Sequence, residues 1–358
     1  MRLPPPRIAL AATSVRNSVL KFTRAVVPPG AAVLEMVQGA WNAQALFTAA
    51  KLGISDVLAD GPKSAREVAE TIGADADGVA RLMRHLTTMG LYKSTRSGAF
   101  RLTPMGDVLR TGTPGSMRDM VLWVGAPEHR DDWDELPYSV MTGKTGVSRI
   151  RGKGLFEYFD DNPELSETFN GAMTSVSSLV DESVLAAYDF SGLGTIADIG
   201  GGHGSFLSDI VSSTPGTRGI LFDLPSVVAG NVFHQRGLAD RCEAVAGSFF
   251  ESIPAGADCY ILRIVIHDWA EEECLTILGN VRRAIKPGGR LLLVELVLPD
   301  DPSTPHPGTL TDLEMLVSVG GRERTRAGYA ELFAKAGFEL ARVVPTATPM
   351  SVVEGRPV

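Results

Sequence analysis

Apolar positions in the first third of the chain follow a helical spacing that gives way to two short strands. The pattern predicts a buried helix over residues 31–50, a short helix over 64–73 that opens with a capping box, and another helix over 77–90. Two apolar runs within residues 91–102, separated by a Ser-Gly turn, predict a β-hairpin. This order is typical of a winged helix, and the residues before residue 31 are predicted to be an ordered arm or a frayed tail.

Residues 116–186 are predicted to form further helices that carry a series of aromatic and methionine residues. Such a series commonly packs in a helical core, but beside a catalytic domain it can line an apolar substrate pocket. The members of the series are Trp123, Trp133, Phe156, Phe159, Phe169 and Met173.

After Gly192, short apolar runs alternate with helical segments. This βαβ pattern predicts an α/β fold with a mostly parallel sheet and helices on both faces. A last helix is predicted over residues 326–336. The predicted strands cover residues 195–199, 219–222, 244–245, 259–266, 290–297, 340–344 and 351–353.

Composition places the chain among folded globular proteins. Its 358 residues suffice for about two domains, and 44% hydrophobic with 21% charged residues excludes a disordered chain. The cysteines, Cys242, Cys259 and Cys274, have neither a disulfide framework nor metal-ligand spacing, so we expect free thiols in the cytoplasm and no metal. No run approaches roughly 18 uncharged apolar residues, and no export signal is apparent, so no membrane partner is expected.

Charge is distributed unevenly along the chain. The 34 Lys and Arg against 42 Asp and Glu give a net charge of −8, but residues 1–110 hold 14 basic and 8 acidic side chains, a net +6 that leaves −14 for the remainder. The acidic total argues against nucleic acid as a partner. Arg81, Arg84 and Arg96 on the predicted winged helix nevertheless keep DNA binding open as an alternative.

A glycine-rich turn, DIGGGHG at residues 198–204, follows the first strand of the predicted sheet. Ligands of open parallel sheets bind beyond the carboxyl ends of the strands, where glycines let them approach the backbone. A dinucleotide-binding turn has glycines at positions 1, 3 and 6, but here they fall at 1, 3 and 5 from Gly200, and Ser205 is sixth. The turn resembles the cofactor loop of class I S-adenosylmethionine-dependent methyltransferases, although glycines in such a turn also serve packing.

Two further side chains follow strand ends in the predicted sheet. Asp223 ends the second strand, where a carboxylate suits the hydroxyls of a ribose, although it can also cap the helix that follows. His267 follows the apolar run of residues 259–266, with Asp268 beside it and Glu295 near the end of the next strand. A single histidine after a strand is commonly structural, but this grouping at the carboxyl edge of the sheet favours a catalytic role.

An ordered set of motifs carries a specific resemblance over residues 33–353. The sequence resembles the small-molecule O-methyltransferases typified by plant caffeic acid and flavonoid enzymes and by bacterial enzymes that methylate aromatic polyketides. Besides the glycine-rich turn, the motifs are FDLP at residues 222–225, GSFF at 247–250, RIVIHDW at 263–269, VELVLP at 294–299 and GGRERT at 320–325.

The resemblance implies a three-part organisation. Residues 187–358 would form a Rossmann-like class I methyltransferase domain with a seven-stranded, mostly parallel sheet, and residues 1–110 an N-terminal arm and an all-helical, winged-helix-like dimerisation domain. Residues 111–186 would form a helical substrate-pocket region between them. The resemblance further implies a homodimer through the N-terminal region, S-adenosylmethionine as cofactor and a small hydroxylated aromatic acceptor of secondary metabolism.

The resemblance also implies roles for individual residues. His267 would be the general base, oriented by Glu295 and Glu323. Family members often have Asp where this chain has Ser248, and plant members have Lys where it has Arg263. Cofactor contacts are implied for Asp198, Gly200, Gly202, Asp223, Leu224, Ser248, Phe249 and Arg263. Acceptor contacts are implied for Trp133, Phe169, Met173, Asp268, Asp312 and Met315.

The chemistry explains why a histidine would need carboxylate neighbours. A phenol with a pKa near ~10 and an imidazole near ~6.5 differ by about 3.5 units, or about 5 kcal/mol for full proton transfer. A carboxylate on the far ring nitrogen raises the basicity of the imidazole, and a nearby sulfonium favours the phenolate. Two alternatives stay open: a methyltransferase-like scaffold that hydroxylates or decarboxylates a polyketide, and a winged-helix regulator that senses a small molecule.

Overall fold

The computed structural model describes residues 4–358, except for the side chain of Ser178, and groups them into two units. The helical unit comprises Arg16–Asp134 and Leu155–Leu179. The sheet unit comprises Glu135–Gly154 and Val180–Val358, together with the chain before Arg16. The predicted boundaries at residues 110 and 186 remain a prediction, and the two units divide the middle segment differently from them.

Capping signals set the helices of the predicted winged helix. The Ser64 hydroxyl accepts a hydrogen bond from the Glu67 amide at 3.2 Å, and the Glu67 carboxylate accepts one from the Ser64 amide at 2.6 Å. The next helix is capped by Asp75 and so starts slightly earlier than predicted. The hairpin that follows pairs Tyr92 with Leu102, which confirms the predicted order of helix, turn, helix and hairpin.

The elements of the first half of the chain are mainly helical. The arm before residue 31, predicted to be ordered or frayed, contains the 20-residue helix α1, whose residues are all at least partly exposed. In chain order the elements are α1 (Pro6–Ala25), α2 (Pro29–Lys51), α3 (Ile54–Val57), α4 (Ala65–Ile72), α5 (Ala76–Thr88), β1 (Tyr92–Ser94), β2 (Phe100–Leu102), α6 (Pro104–Asp107), α7 (Arg118–Gly125), α8 (Pro127–Asp134), α9 (Leu136–Thr142), α10 (Gly146–Arg151), α11 (Leu155–Asp161) and α12 (Pro163–Ala187).

The second half alternates strands and helices as predicted. In chain order the elements are β3 (Thr195–Ile199), α13 (Ser205–Ser213), β4 (Arg218–Asp223), α14 (Pro225–Val228), β5 (Cys242–Ala246), β6 (Cys259–Arg263), a 3-10 turn (Ile266–Asp268), α15 (Glu271–Ala284), β7 (Arg290–Leu298), α16 (Gly308–Ser318), β8 (Arg324–Thr325), α17 (Arg326–Lys335), β9 (Phe338–Pro345) and β10 (Met350–Pro357).

The main sheet has seven strands in the order β5, β4, β3, β6, β7, β10, β9, and the short β8 pairs with the end of β7. The first five strands are parallel, whereas β10 runs antiparallel to both neighbours. Strands of a parallel sheet are covered on both faces, so Ile196, Ala197 and Ile199 of β3 are all fully buried. The predicted seven-stranded, mostly parallel sheet is confirmed, and its carboxyl edge holds the ends of β3, β4, β6 and β7.

One predicted strand is too long. The apolar run of residues 259–266 was expected to be a single strand, but β6 ends at Arg263. Ile264 has a φ of +57°, and among the described residues it is the only one besides glycine with a positive φ. The chain therefore leaves the sheet before His267, which lies in the 3-10 turn rather than directly after a strand. Among the described residues, no helix combines the length and apolarity that crossing a bilayer requires.

Candidate active site

The turn after β6 brings two consecutive amides to one carboxylate. The left-handed conformation of Ile264 is one that a β-branched residue seldom adopts and that costs on the order of 1–3 kcal/mol. It directs the amides of Val265 and Ile266 to Oε1 of Glu295, at 3.2 Å and 2.9 Å. Hydrogen bonds to an ionised group are stronger than neutral ones, so this pair offsets the strain. Glu295, on β7, is fully buried.

His267 is surrounded by three carboxyl groups. Its Nδ1 lies 2.8 Å from Oε1 of Glu323 and 3.8 Å from Oε2 of Glu295, while its Nε2 lies 3.4 Å from Oδ1 of Asp268. An ionised carboxylate only accepts hydrogen bonds, so Nδ1 donates its proton to Glu323. This hydrogen bond fixes the tautomer and leaves Nε2 to take up a proton.

Glu323 is held in place through the backbone of its own segment. Its amide donates to Oδ1 of Asp312 on α16 at 2.8 Å, and the amide of Arg322 donates to the carbonyl of His267 at 2.8 Å. Asp312 therefore contacts the backbone of Glu323, a contact that differs from the acceptor contact implied by the resemblance. Met315, on the same helix, is buried.

The carboxylates determine the basicity of His267. Burial opposes the charged imidazole, but the negative charges of Glu295, Asp268 and Glu323 outweigh it and raise the pKa of His267 to about 10. Burial also raises the pKa of Glu295, against the attraction of the His267 charge. The pKa of Asp268 is raised to about 6 by burial, again against His267. The carboxylates thereby make this imidazole much more basic than a free histidine side chain.

The same cluster offers the donor atoms of a metal site. One atom each from His267, Glu295 and Glu323 lie within 4.8 Å of one another, and Oε2 of both glutamates has no hydrogen-bond partner among the described residues. The 2.8 Å between Nδ1 of His267 and Glu323 is the distance of a shared proton, which a metal between these two atoms would have to replace. Two of the three donor groups, Nδ1 of His267 and Oε1 of Glu323, are therefore already paired through a proton.

The glycine-rich turn lies at the carboxyl end of β3, next to the turn after β6. Gly200 has a φ of +69°, and a Cβ added there would lie 3.0 Å from Cγ2 of Val265 and 3.8 Å from Phe249. A side chain at this position would be strained and crowded, so glycine is required. The amide of Gly202 donates to Oδ2 of Asp223 at 2.8 Å, which ties the turn to the end of β4.

Two carboxyl groups beside this turn remain able to accept hydrogen bonds. Asp198 is fully buried, and neither of its carboxylate oxygens has a hydrogen-bond partner among the described residues. Asp223 accepts from the amides of Gly202 and Leu224 at 2.8 Å and 2.7 Å, which leaves lone pairs on both oxygens. The side chain of Leu224 itself is exposed. A buried acceptor without a donor indicates a polar ligand at this edge of the sheet.

An aromatic cluster follows β5. Phe249 lies 5.9 Å from Trp269, measured between ring centroids, and Phe250 lies 4.8 Å from it. The carbonyl of Phe249 accepts a hydrogen bond from Nδ2 of Asn280 at 2.6 Å, and Ser248 is half-buried beside it. The segment is thus fixed with Phe249 next to Gly200.

Two family profiles match this chain. A profile described as the O-methyltransferase domain matches residues 133–339, and a second one, described as the O-methyltransferase dimerisation domain, matches residues 34–112. The chain belongs to the O-methyltransferase family.

Individual relatives of this O-methyltransferase cover nearly its whole length. A phenazine O-methyltransferase of Lysobacter antibioticus is 42% identical over 334 residues, 93% of this chain and 97% of the relative. A mitomycin biosynthesis 6-O-methyltransferase of Streptomyces lavendulae is 37% identical over 329 residues, 90% of this chain and 93% of the relative. The crystal structure of an O-methyltransferase from neocarzinostatin biosynthesis, in complex with S-adenosylmethionine and 2-hydroxy-5-methyl naphthoic acid, has a TM-score of 0.75 at 32% identity and covers 88% of this chain and 96% of that one.

These findings confirm the predicted family, the fold class and the cofactor, S-adenosylmethionine. The methyltransferase has suitable groups for that cofactor at the carboxyl edge of the sheet: the unpartnered Asp198, the open Gly200 turn and the carboxylate of Asp223. The roles of individual residues remain predictions.

Three residues of the predicted acceptor set belong to the helical unit. Phe169 of α12 packs against Trp123 and Phe159, with ring centroids 5.1 Å and 4.8 Å away. Trp133 lies 6.4 Å from His129 between ring centroids, and Met173 follows Phe169 by one helical turn. All three predicted residues are half-buried, so each keeps part of its surface accessible within its unit.

Two residues of the methyltransferase were missed from the sequence. Asn280 of α15 fixes the carbonyl of Phe249. Asp181 of α12 forms an ion pair with Arg263, with its Oδ1 3.0 Å from Nη1. The sequence did contain a signal for Asp181. Its carboxylate lies next to Val180 and three residues before Val184, which are both buried, and a charge on an apolar helix face is rarely left unpaired.

Proposed function

We propose that this chain transfers the methyl group of S-adenosylmethionine to a hydroxyl of a small, flat aromatic acceptor, with His267 as general base. The observation that carries the proposal is the 2.8 Å contact between Nδ1 of His267 and Glu323, because it leaves Nε2 as the atom that takes a proton. Asp268, 3.4 Å from Nε2, stabilises the imidazolium once that proton has arrived.

His267 would receive the proton of the acceptor hydroxyl at Nε2. Before the cofactor binds, the pKa of the His267 imidazole is about 10, which matches the pKa of a phenol and makes the proton transfer nearly isoenergetic. A base must also be unprotonated before it acts, and a positive charge bound nearby lowers the pKa of His267 toward neutrality. The carboxylates and the sulfonium therefore act in opposite directions on the same imidazole.

Glu323 and Glu295 have different tasks in this proposal. Glu323 contacts the ring directly and holds its tautomer, whereas Glu295 spends one oxygen on the amides of Val265 and Ile266. Glu295 thus ties the turn that carries His267 to β7. Holding the base in one orientation is a large part of catalysis, because a reaction within a fixed geometry avoids the entropic cost of an encounter.

The cofactor would be held by the residues at the ends of β3, β4, β5 and β6. When bound, S-adenosylmethionine supplies a methyl group on a positively charged sulfur. Asp223 would accept from the ribose hydroxyls, Phe249 would pack on the adenine beside Ser248, and Gly200 and Gly202 would give the backbone close access. Asp198 and Arg263 would face the amino-acid end, since they carry the buried charges of this edge.

The acceptor class rests on the aromatic residues of the helical unit and on the relatives. The names of two relatives refer to phenazine and mitomycin, and a third relative was crystallised with a naphthoic acid. All three compounds are polycyclic. Phe169, Trp133 and Met173 offer the half-buried aromatic and thioether surface that such rings pack on. We therefore propose a polycyclic phenol or hydroxyquinone as the acceptor.

A second copy of this chain is the proposed partner. The dimerisation-domain profile begins at residue 34, within α2, and Val33, Val37 and Trp41 of that helix are 59%, 59% and 68% exposed. Exposed apolar residues along one helix mark an interface. Trp41→Glu is expected to shift the sedimentation coefficient toward that of a monomer, whereas Val140→Glu, at an exposed apolar position of α9, leaves it unchanged.

The three cysteines are unpaired, and we propose a cytoplasmic location on that basis.

Product mass tests the proposed reaction. Incubation with S-adenosylmethionine and a panel of phenols, hydroxynaphthoic acids and hydroxyphenazines is expected to give acceptor products heavier by one methyl group. A product that has gained oxygen or lost carbon dioxide would instead support the alternative reactions on a polyketide. A mobility shift with duplex DNA that weakens with salt would support the winged-helix regulator.

A further inference from the structure

We propose that Asp181 is a positioning residue for the amino-acid end of the cofactor: it holds the guanidinium of Arg263 and thereby keeps the carboxylate of Asp198 free for the ammonium group. This inference rests on the proposed function, because it assigns the amino-acid end of S-adenosylmethionine to this part of the sheet edge.

The first observation is the environment of Arg263. Its guanidinium lies 5.2 Å from the centroid of the buried Phe206 ring, and its Nη1 lies 3.0 Å from Oδ1 of Asp181. The side chains of Arg263 and Asp181 are both only 12% exposed. A guanidinium between an aromatic face and a carboxylate is held in one direction, so Asp181 and Phe206 together aim it.

The second observation is what Arg263 leaves unpaired. Nε of Arg263 has no hydrogen-bond partner among the described residues, and neither has either oxygen of the fully buried Asp198. Nη1 of Arg263 and Oδ1 of Asp181 face each other as an ion pair without hydrogen-bond geometry. The charge of Arg263 acts on both carboxylates, but its ion pair is with Asp181. Without Asp181, the guanidinium would be drawn to Asp198 and would occupy the acceptor that the ligand needs.

The third observation is the balance of charge. Asp198, Asp181 and Arg263 carry two negative charges and one positive charge in a buried place, where an unmatched charge is costly. Burial accordingly raises the pKa of Asp198 to about 7 and that of Asp181 to about 6, with Arg263 opposing both shifts. The amino-acid end of the cofactor carries one positive and one negative group: its ammonium would lie beside the unpartnered Asp198, and its carboxylate would accept from Nε of Arg263, so that each charge meets an opposite one.

Two ligands separate this role from a general structural one. S-adenosylhomocysteine carries the amino-acid end, whereas 5′-methylthioadenosine has the same adenosine and thioether without it. Both dissociation constants would be measured by calorimetry, so that catalysis does not enter. In Asp181→Asn, we expect the dissociation constant of S-adenosylhomocysteine to rise about tenfold, and that of 5′-methylthioadenosine to change less than about twofold.

Glu182→Gln is the matched control. Glu182 follows Asp181 on α12 and loses the same charge, but its side chain is exposed. We expect the ratio of the two dissociation constants to stay at the wild-type value in this variant. If Asp181→Asn does not fold, Asp181→Glu keeps the charge but displaces the guanidinium by one methylene, and is expected to raise the ratio about threefold.

The outcomes are distinct. A ratio that stays at the wild-type value in the Asp181 variant, or an equal loss of both ligands, overturns the positioning role of Asp181. Wild-type protein that binds neither ligand contradicts the proposed function itself. A tenfold loss confined to S-adenosylhomocysteine supports the inference.

Discussion

Nδ1 of His267 lies 2.8 Å from Oε1 of Glu323, so the two residues share one proton inside a buried site. The contact joins the turn after β6 to the segment before β8, two parts of the chain that are 56 residues apart. It is the shortest contact between the imidazole and its carboxyl neighbours, and it determines which ring nitrogen is available to an acceptor.

Replacing the proposed base tests its role most directly. In His267→Gln, we expect kcat to fall by about 10²–10⁴, because the acceptor hydroxyl keeps its proton, while S-adenosylhomocysteine binds as in the wild type. The measurements are turnover with a responsive phenol and calorimetric binding. His234→Gln, at an exposed position, is the control and should retain full activity. Turnover of the His267 variant within a few-fold of the wild type would rule out the base role.

The pH profile reports the carboxylates around the imidazole. The pKa of His267 is raised to about 10 in the cofactor-free protein, and the bound sulfonium lowers it toward neutrality. At saturating cofactor, kcat/KM for the acceptor should therefore rise with pH until it passes this lowered pKa. Glu323→Gln removes a charge that favours the imidazolium, so the acid limb should move to lower pH while kcat falls. Glu339→Gln, an exposed position of β9, should leave the limb in place. An unmoved limb in Glu323→Gln would show that another group titrates.

Alanine substitutions at Gly200 and Gly192 distinguish backbone strain from steric crowding at the cofactor site. Alanine in a left-handed conformation costs about 1–2 kcal/mol of stability at either Gly200 or Gly192, whose φ values are +69° and +76°. Only at Gly200 would the new Cβ meet neighbours, Val265 and Phe249, on the cofactor side of the sheet. We expect both Ala variants to melt earlier but only Gly200→Ala to lose S-adenosylhomocysteine affinity, by at least about tenfold. Equal affinities in the two variants would remove Gly200 from the cofactor site.

Asp312 distinguishes a backbone contact from an acceptor contact. Its Oδ1 accepts the amide of Glu323, a task that an Asn side-chain oxygen also performs. Asp312→Asn should therefore stay within about threefold of wild-type kcat, whereas Asp312→Ala should lose about tenfold, because a buried amide is left unpaired. The acceptor KM is the deciding quantity. A raised KM in both variants would restore the acceptor contact that the family resemblance implies.

The sequence was sufficient to predict those elements whose signals lie within a few neighbouring residues. Ser64 and Glu67 predicted their helix through a capping box, and the glycine spacing after β3 distinguished the cofactor loop from a dinucleotide turn. The run of residues 259–266 predicts a single strand because every residue in it except Arg263 is apolar, and no part of that pattern indicates a left-handed Ile264. Its conformation depends on Glu295, which is 31 positions later and binds the two amides that follow.

Partners that are distant along the chain set the limit of prediction in the site as well. The motifs placed His267, Glu295 and Glu323 together, and the structure gives their distances. Asp181 and Asn280 lie on helices outside every motif, and each acts on a motif residue through a single contact. Such contacts depend on how helices pack on the sheet, which no local pattern encodes.

The exposed helix α1 has a thermodynamic consequence. It is 20 residues long and none of its residues is buried, so it lacks the tertiary packing from which most helices in proteins gain their stability. If the second copy that we propose to bind at α2 also covers α1, the folding of α1 and the association of the two copies become one equilibrium. The melting temperature would then rise with protein concentration, so that dilution alone would destabilise the enzyme.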